Sequence, residues 1–439
     1  MLLLILACSG APAPQFDSAP DSGDANGAPQ ASVLDTMPSL FAVRWAQQQS
    51  GEAQVAYWLD EEWHWTPVET VSAGDAEIIA AGLPFDTASM WQLSVDGVVV
   101  AEGDITTGSP PEGTPQPVVV SSDPTRHDEQ LQYLLTSISA NGFDEPVWTV
   151  ILDRQARLVW AMQTPENRVT LHPRLSGDGR SILIDHNSFW GDFDDGVAST
   201  VVRVGLDGEI QQTIDTPGLH HPFVETPDGV LYWGATDGNH EDLMRLVPGQ
   251  KAELLWSCAA FHERIGVEAW CRSNTLWMDP AGENMLFSFF TTETVVEIQT
   301  ADWMETRWFG HLSQSWSFDD EEDAFWWQHG AQYTADGTLL VSAKTAPDVE
   351  ETVIREYQLD ETNQALVEVW SFGLGDGVYG AKMGEPWLLS GGNVLHNYGS
   401  TPRIREATRD GDVVWDIGWL QFSFVGRSTP INSLYDLLP

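Results

Sequence analysis

Positive charge is the scarcest property of this sequence. Of its 439 residues, 20 are Lys or Arg and 65 are Asp or Glu, so the formal net charge is −45 at pH 7. A surface of this charge repels nucleic acid and anionic lipid headgroups, and we expect neither as a partner. An anionic substrate would therefore have to meet a local cluster of positive or hydrogen-bonding groups.

Several familiar enzyme motifs are also missing. The sequence has no GxxxxGK[ST], GxSxG or HExxH pattern, so P-loop, serine-hydrolase and zincin functions have no support. No segment has helical periodicity long enough to compete with strands. Hydrophobic residues make up 42% of the chain and aromatic residues 10%, which provides for a sizeable core.

Cysteine is rare, and the first of the three cysteines follows an apolar run. Residues 1–7 (MLLLILA) are too few to span a bilayer, yet they resemble the h-region of a secretory signal. The run ends in a sequence that resembles a bacterial lipobox, so we predict a signal peptide over residues 1–8 and lipidation at Cys8. No Lys or Arg precedes the run, which leaves an upstream start and an ordinary buried strand open as alternatives.

The segment after Cys8 predicts how the protein is held. Residues 9–37 are rich in Ala, Pro, Ser, Gly and Asp, a composition typical of a disordered tether. We therefore expect an envelope protein anchored to the bacterial outer membrane, facing the periplasm or the surface. It would touch the membrane only through the N-terminal lipid, and a homo-oligomer is left open.

The other two cysteines are expected to pair. An oxidising compartment favours a disulfide between Cys258 and Cys271, and closing this loop of about fourteen residues would contribute roughly 3 kcal/mol. Two unpaired buried thiols are the alternative. We predict no metal site, because neither cysteine lies in a CxxC pair.

Two domains are predicted. Short alternating strands such as Phe41-Val43-Trp45 and Trp91-Leu93-Val95 indicate a β-sandwich over residues 38–109 that resembles a fibronectin type III module. A Pro- and Gly-rich linker follows at residues 110–117.

From residue 118 to residue 439 the chain repeats with a period near fifty. One mark is a turn glycine before a strand, at Gly179, Gly229, Gly282, Gly337 and Gly392. The other is an apolar or Trp position on a strand, at Trp160, Ile210, Trp256, Trp308, Trp370 and Trp415. Such a pattern predicts an all-β fold whose second domain is a six-bladed β-propeller.

Polar residues recur at one offset from the turn glycines. His221, Asn274, His329 and Gly384 each stand eight residues before a turn glycine, and His172 stands seven before another. Equivalent positions of successive blades lie at equal radius around one axis, so we expect these side chains to converge at one mouth of the channel. A lone histidine is usually structural, whereas several at matched positions indicate a site.

At this point the sequence resembles the bacterial arylsulfate sulfotransferases. The likeness runs from about Leu40 to the C-terminus. It rests on HHPFVETPDG (220–229), WCRSNTLWMDPAGENMLFSFF (270–290), WQHGAQYTADGTLLVSAK (327–344), VIREYQLDE, VWSFG and RSTPINSLY. The resemblance implies a β-sandwich and a six-bladed propeller. It also implies transfer of a sulfuryl group from one phenol to another through a sulfated histidine, without a nucleotide sulfate donor and with no cofactor.

The resemblance also implies roles for two histidines. His329, inside a Gln-His pair, matches the nucleophile of the family. His221 matches a second active-site histidine that contacts the sulfate. The expected ligands are small aromatic sulfate esters and phenols.

Two site positions depart from the family. Arg272 stands where the family has a third histidine, two residues before the asparagine matched by Asn274, and Phe290 stands where the family has an arginine. Arg272 suits a sulfate oxyanion but cannot act as an acid near neutral pH. Phe290 removes a positive charge, which Lys344 or Arg264 could replace.

These observations give the predicted site. The catalytic residues are His329 as nucleophile, His221 and Arg272, and substrate binding is assigned to His220, Asn274 and Lys344. Two rival functions stay open: a non-catalytic propeller that binds an anionic or aromatic ligand or a glycan, and a structural or adhesive surface protein.

Overall fold

The computed structural model describes residues 28–141, 144–191, 194, 196–419 and 423–438, and most of its regular elements are strands. The predicted signal peptide, Cys8 and most of the predicted tether lie outside these residues. No helix in the described ranges is long and apolar enough to cross a membrane.

The first eight strands form two sheets. Their bounds are β1 Gln30–Val33, β2 Phe41–Gln47, β3 Gly51–Leu59, β4 Glu62–Trp65, β5 Glu69–Val71, β6 Gly74–Ala80, β7 Ala88–Val95 and β8 Val98–Thr106. One sheet has the order β1-β2-β6, and the other has the order β4-β3-β7-β8 with β5 paired to β3. The alternating residues Phe41, Val43, Trp91 and Leu93 are buried in one shared core between the sheets.

One part of the predicted tether is ordered. Gln30–Val33 pair antiparallel with Phe41–Arg44 as strand β1, and Met37 is buried. The prediction of a tether that extends to residue 37 is therefore wrong at its end. The reason is that Ala31 and Val33, though few and isolated in a polar segment, pack against the sandwich core.

The rest of the chain forms six sheets within the described residues. The strands between residues 117 and 257 are β9 Pro117–Ser122, β10 Tyr133–Asn141, β11 Asp144–Asp153, β12 Leu158–Gln163, β13 Arg174–Leu175, β14 Ile182–His186, β15 Thr200–Val204, β16 Ile210–Asp215, β17 Leu219–Glu225, β18 Leu231–Thr236, β19 Glu241–Leu246 and β20 Glu253–Ser257. The strands β10 to β20 lie in the first three sheets, whereas β9 belongs to the last sheet.

The remaining strands form the other three sheets, except β34, which completes the first sheet. They are β21 Ser273–Met278, β22 Asn284–Phe289, β23 Thr294–Gln299, β24 Met304–Gly310, β25 Ser317–Phe318, β26 Trp326–Tyr333, β27 Leu339–Lys344, β28 Thr352–Asp360, β29 Ala365–Phe372, β30 Glu385–Leu388, β31 Val394–Asn397, β32 Arg403–Ala407, β33 Val413–Trp419 and β34 Phe424–Ile431. Four consecutive antiparallel strands make up most sheets. The exception within a sheet is the two-residue β25, which pairs parallel with β29.

Two long-range pairings link the ends of this region. β34 pairs with β10 in the first sheet, and β9 pairs with β33 in the last. These pairings join the two ends of the region.

Both marks of the sequence repeat correspond to fixed positions in the sheets. The five turn glycines join the first and second strands of their sheets with φ between 71° and 97°, a left-handed conformation that glycine adopts without strain. The Trp and Ile marks all lie on the last strand of a sheet, or on its counterpart β12 in the first.

The all-β fold with a propeller-like arrangement of sheets is thus confirmed. The blade count, the fibronectin III-like assignment and the domain boundaries stay predictions. The helices were not anticipated: α1 covers Ser188–Gly191, α2 covers Cys258–Ile265, and short 3-10 turns cover Pro124–Arg126, Glu321–Asp323 and Tyr435–Leu437.

Candidate functional site

Three of the five matched positions, His221, Asn274 and His329, meet around one small cavity, whereas His172 and Gly384 do not line it. His220 and His221 lie on β17, Asn274 on β21 and His329 on β26, each the first strand of its sheet. The cavity has a volume of about 150 Å³ and is lined by Trp190, His220, His221, Arg272, Asn274, Phe290, Trp327, His329, Ala381, Lys382 and Met383. Five of the six residues of the predicted site line this cavity, and four of those five lie on inner strands. Phe290, the other position at which the sequence departs from the family, lines it too.

Two buried side chains, Arg427 and His172, form hydrogen bonds with the backbone carbonyl oxygens of the matched residues. The guanidinium of Arg427, on β34, donates to the carbonyl oxygens of Asn274, His329 and Gly384. Nδ1 of His172 lies 3.0 Å from the carbonyl oxygen of His221. Three of the four matched positions are therefore joined by one buried cation, whose pKa burial lowers to about 10.

His329 is oriented as a nucleophile would be. Its Nδ1 lies 2.9 Å from the carbonyl oxygen of Trp327, and a carbonyl only accepts, so Nδ1 carries the proton and Nε2 keeps its lone pair. Burial lowers the pKa of His329 to about 4, and the charges of Arg427 and Lys382 act in the same direction. The imidazole is therefore neutral at pH 7. The ring of Phe290 stacks on it at 5.9 Å and 21°.

His221 lies deeper. It is 5% exposed, and its Nδ1 has no hydrogen-bond partner among the described residues. Burial, together with the nearby His220 ring and Arg427 guanidinium, holds the pKa of His221 well below its usual range. A neutral imidazole with an unused polar atom offers one donor or acceptor to a ligand.

His220 is paired with a buried carboxylate. Its Nδ1 lies 3.3 Å from Oε2 of Glu241, and its ring stacks on Trp190 at 5.4 Å and 24°. The Glu241 carboxylate also accepts from the backbone N–H and the hydroxyl of Ser273. A carboxylate acceptor places the His220 proton on Nδ1, so Nε2 is left as an acceptor.

The positive groups of the cavity are Arg272 and Lys382. Nε of Arg272 donates to the carbonyl oxygen of Gly238 at 2.8 Å, and the guanidinium lies 5.9 Å from the ring centroids of Phe189 and Trp270. Lys382 is exposed at the rim, and its charge acts on His329. Lys382 thus supplies a positive charge that the sequence analysis had expected from Lys344 or Arg264.

Those other cations lie elsewhere. Lys344, predicted to bind substrate, does not line the cavity. Its Nζ donates to the carbonyl oxygen of Pro347 and lies 5.8 Å from the ring of Trp327. Arg264 forms an ion pair with Glu305. Both predictions rested on charge alone, which does not indicate where a side chain points.

Cys258 and Cys271 are joined by a disulfide, as the sequence predicted. Both sulfurs are buried, and Arg272 follows Cys271 directly. The disulfide therefore connects helix α2 to the entry of β21, next to the cavity.

Among the lining residues and those that support them, sequence reasoning gave no role to Trp190, Glu241, Trp327, Ala381, Lys382, Met383 and Arg427. A signal existed for Arg427, which opens the RSTPINSLY segment without having been given a role. No local pattern distinguishes Glu241 from the other acidic residues.

A larger cavity of about 1170 Å³ lies beside the two turns that contain Gly179 and Gly229. It contains none of the matched residues, so we take the smaller one as the candidate site.

Comparisons with known proteins add little. No protein-family model matches the chain, and no curated protein does. Among solved structures, a protein of unknown function from Bacteroides caccae has 14% identity and a TM-score of 0.46, with 69% of this chain and 100% of that one covered. A periplasmic gluconolactonase of Pseudomonas aeruginosa has 15% identity and a TM-score of 0.42, with 88% and 97% covered. An auxiliary nutrient binding protein from Bacteroides thetaiotaomicron has 9% identity and a TM-score of 0.40, with 89% and 96% covered. Likeness at this level carries no argument about function.

Proposed function

We propose that this protein is an arylsulfate sulfotransferase of the bacterial envelope, which moves a sulfuryl group from a phenolic sulfate ester to a phenol through His329. One observation carries the proposal. A neutral, oriented His329 shares a cavity with His221, Arg272 and Lys382, and aromatic rings line the same space.

In the first step the donor is cleaved. Nε2 of His329 attacks the sulfur of the ester, the N–S bond forms, and the S–O bond to the aryl oxygen breaks. The electron pair of that bond leaves with the phenolate, which takes a proton from water. The transition state for such a transfer is loose, so catalysis depends on positioning and on stabilising three sulfuryl oxygens.

In the second step the acceptor is sulfated. The hydroxyl oxygen of a second phenol attacks sulfur, the O–S bond forms and the N–S bond breaks, which returns the electron pair to Nε2. The hydroxyl proton needs a base, and Nε2 of His220 is the acceptor that Glu241 supports. Net, one ester bond is exchanged for another, and no oxidant, metal or nucleotide is consumed.

The residues around the cavity should stabilise the transition state of sulfuryl transfer better than water does. Arg272 and Lys382 line a space whose other lining residues are uncharged and mostly aromatic, where charge interactions are stronger than in water. Trp190, Phe290 and Trp327 offer flat faces against which a phenyl ring can stack. In a protein of net charge −45 these two cations are the features of the cavity that attract an anion.

The test uses a chromogenic aryl sulfate as donor and a simple phenol as acceptor. Wild-type protein should release the chromophore, and the released amount should rise with acceptor. His329→Ala should abolish release while the melting temperature barely moves, because the side chain is partly exposed and its loss leaves a wet gap. His64→Ala, in the sandwich, is the matched control and should keep full activity.

A direct observation strengthens the test. Donor alone should add the mass of one sulfuryl group to wild-type protein and none to His329→Ala. Folded wild-type protein that releases no phenol from several aryl sulfates would refute the proposal.

One observation favours a second candidate, a propeller that only binds an aromatic or anionic ligand. The guanidinium of Arg272 is already engaged by Gly238, and Phe290 brings no charge. Binding of the aryl sulfate by calorimetry, without turnover, would select this function.

A further inference from the structure

The disulfide-bonded cysteines share their surroundings with a third ligand atom. The Sγ atoms of Cys258 and Cys271 and a ring nitrogen of His262 all lie within 4.8 Å of one another. Nε2 of His262 is 3.7 Å from Sγ of Cys258. The two cysteines are 0% exposed and the histidine 4%. Two sulfurs and one imidazole nitrogen therefore converge inside the protein.

The imidazole of His262 is held as metal-binding histidines are. Its Nδ1 lies 3.1 Å from the carbonyl oxygen of Ala269, which fixes the proton on Nδ1 and leaves the lone pair of Nε2 toward the sulfurs. Metal-ligating histidines typically donate their other N–H to a carbonyl or carboxylate in this way, which fixes tautomer and ring orientation.

Helix α2 places two of the three ligands. Cys258 and His262 are four residues apart, so they lie on one face of the helix. Cys258 is also the first residue of the helix, where the positive end of the helix dipole favours a thiolate over a thiol. Cys271 arrives from the other side, where its N–H donates to the carbonyl oxygen of Asn239.

One of the three ligand residues, His262, borders an open space, while the two cysteines lie behind it in the buried interior. A cavity of about 610 Å³ is lined by His262 itself together with His240, Glu263, Glu268 and Trp270. A ligand set of two sulfurs and one nitrogen, with one position open to water, is a known arrangement for zinc.

We propose that reduction turns this disulfide into a binding site for one thiolate-seeking divalent cation of the Zn²⁺ class. A dithiol reductant gives two electrons and two protons to the disulfide and is itself oxidised to a disulfide, which leaves two thiols. The cation then displaces both thiol protons and binds Sγ of Cys258, Sγ of Cys271 and Nε2 of His262, with water in the fourth position. The sequence predicted no metal because neither cysteine lies in a CxxC pair, but the third ligand comes from a helix that spacing did not indicate.

The inference does not depend on the proposed sulfuryl transfer, and its test needs no activity. The probe is Co²⁺, added to full-length protein that has been reduced and freed of reductant without oxygen. The expected result is one equivalent of Co²⁺ bound, with sulfur-to-cobalt charge-transfer absorption and the strong d–d bands of tetrahedral coordination. Stoichiometric Zn²⁺ should displace the Co²⁺ and bleach both.

Oxidised wild-type protein is the matched control, because it has the same sequence and no free thiol at these positions. It should show no charge-transfer band. His262→Gln, checked for folding by near-UV circular dichroism, should bind Co²⁺ at least about 10-fold more weakly after reduction. Equal binding by oxidised and reduced protein would overturn the proposal, as would reduced protein that binds Co²⁺ without the sulfur band.

Discussion

The imidazole of His220 and the carboxylate of Glu241 face each other at 3.3 Å, and neither side chain reaches solvent. His220 lines the cavity and Glu241 does not. The acid thus acts on a ligand only through the histidine, which it holds in one tautomer and makes a better base. If the proposed transfer takes place, Glu241 is a positioning residue for its second step.

Glu241→Gln should slow transfer to the phenol acceptor by roughly 10- to 100-fold. This is less than most of the roughly 10²- to 10⁴-fold that a positioned general base contributes, because His220 itself remains. Release of the first phenol from the donor should change little. Stopped-flow assays of the two half-reactions measure the difference.

A purely structural role for Glu241 would give a different result. Both half-reactions would then fall together. Glu297→Gln is a matched control, since this carboxylate is also buried but pairs with Arg307 away from the cavity.

Phe290→Arg should raise activity. The ring of Phe290 stacks on His329, so a guanidinium there would stand beside the sulfuryl group as its oxygens gain charge. We expect an increase in kcat of about tenfold, less than the roughly 10²- to 10³-fold that one preorganised oxyanion donor contributes, because the introduced guanidinium is not preorganised. Steady-state kinetics with the aryl sulfate measure it.

Phe290→Leu distinguishes the effect of an added positive charge from the effect of removing the aromatic ring. It empties part of the same volume and adds no cation, so it should not raise kcat. A gain in Phe290→Leu equal to that in Phe290→Arg would show that the ring obstructs the cavity and that charge is not limiting.

Lys382→Ala should lower donor cleavage, because this ammonium lies at the cavity in the region where Phe290 replaces a charge. The loss should be larger at low salt than at high salt, since an exposed charge is screened. Lys251→Ala, an exposed lysine that does not line the cavity, should leave the rate unchanged. Rates at two ionic strengths check this.

The pH dependence of donor cleavage should reflect the lowered pKa of His329. Only the neutral imidazole has a lone pair for sulfur, and that form persists down to about pH 4. Single-turnover phenol release should therefore stay constant from neutral pH to about pH 5 and fall below that, with folding checked by circular dichroism. A midpoint at the usual histidine value near 6.5 would contradict the environment described for His329.

Arg427→Lys should destabilise the fold although it keeps the charge. The fork of Arg427 reaches the carbonyl oxygens of Asn274, His329 and Gly384, and a single ammonium cannot reach them with the same geometry. A buried acceptor left without a partner costs about 1–3 kcal/mol, so urea unfolding should show a loss in that range or above. Arg44→Lys, at an exposed ion pair, should change stability by less than about 0.5 kcal/mol.

The repeats of the fold could be predicted because they are local. Gly229 and Gly337 mark turns whose conformation glycine favours, and Trp256 and Trp415 recur on outer strands. Both signals are visible in a short window of sequence. The convergence of His221 and His329 then followed from symmetry, without any knowledge of side-chain contacts.

What could not be predicted depends on distant partners. Strand β1 forms because Ala31 and Val33 reach a core built from later residues. Glu241 is significant only because it meets His220 and Ser273. Lys382 and Arg427 enter the cavity region from loops and strands outside the repeat offset. Spacing within a repeat carries no information about such encounters.

Because β34 pairs with β10, the candidate site can be completed only after the last strand has been synthesised. During synthesis His221 and His329 emerge well before residues 424–431, yet the guanidinium that ties their strands together lies in that last segment. A contact between chain ends this far apart forms late, because its loop must first close. A nascent chain thus holds all of its candidate histidines while the channel beneath them is still open.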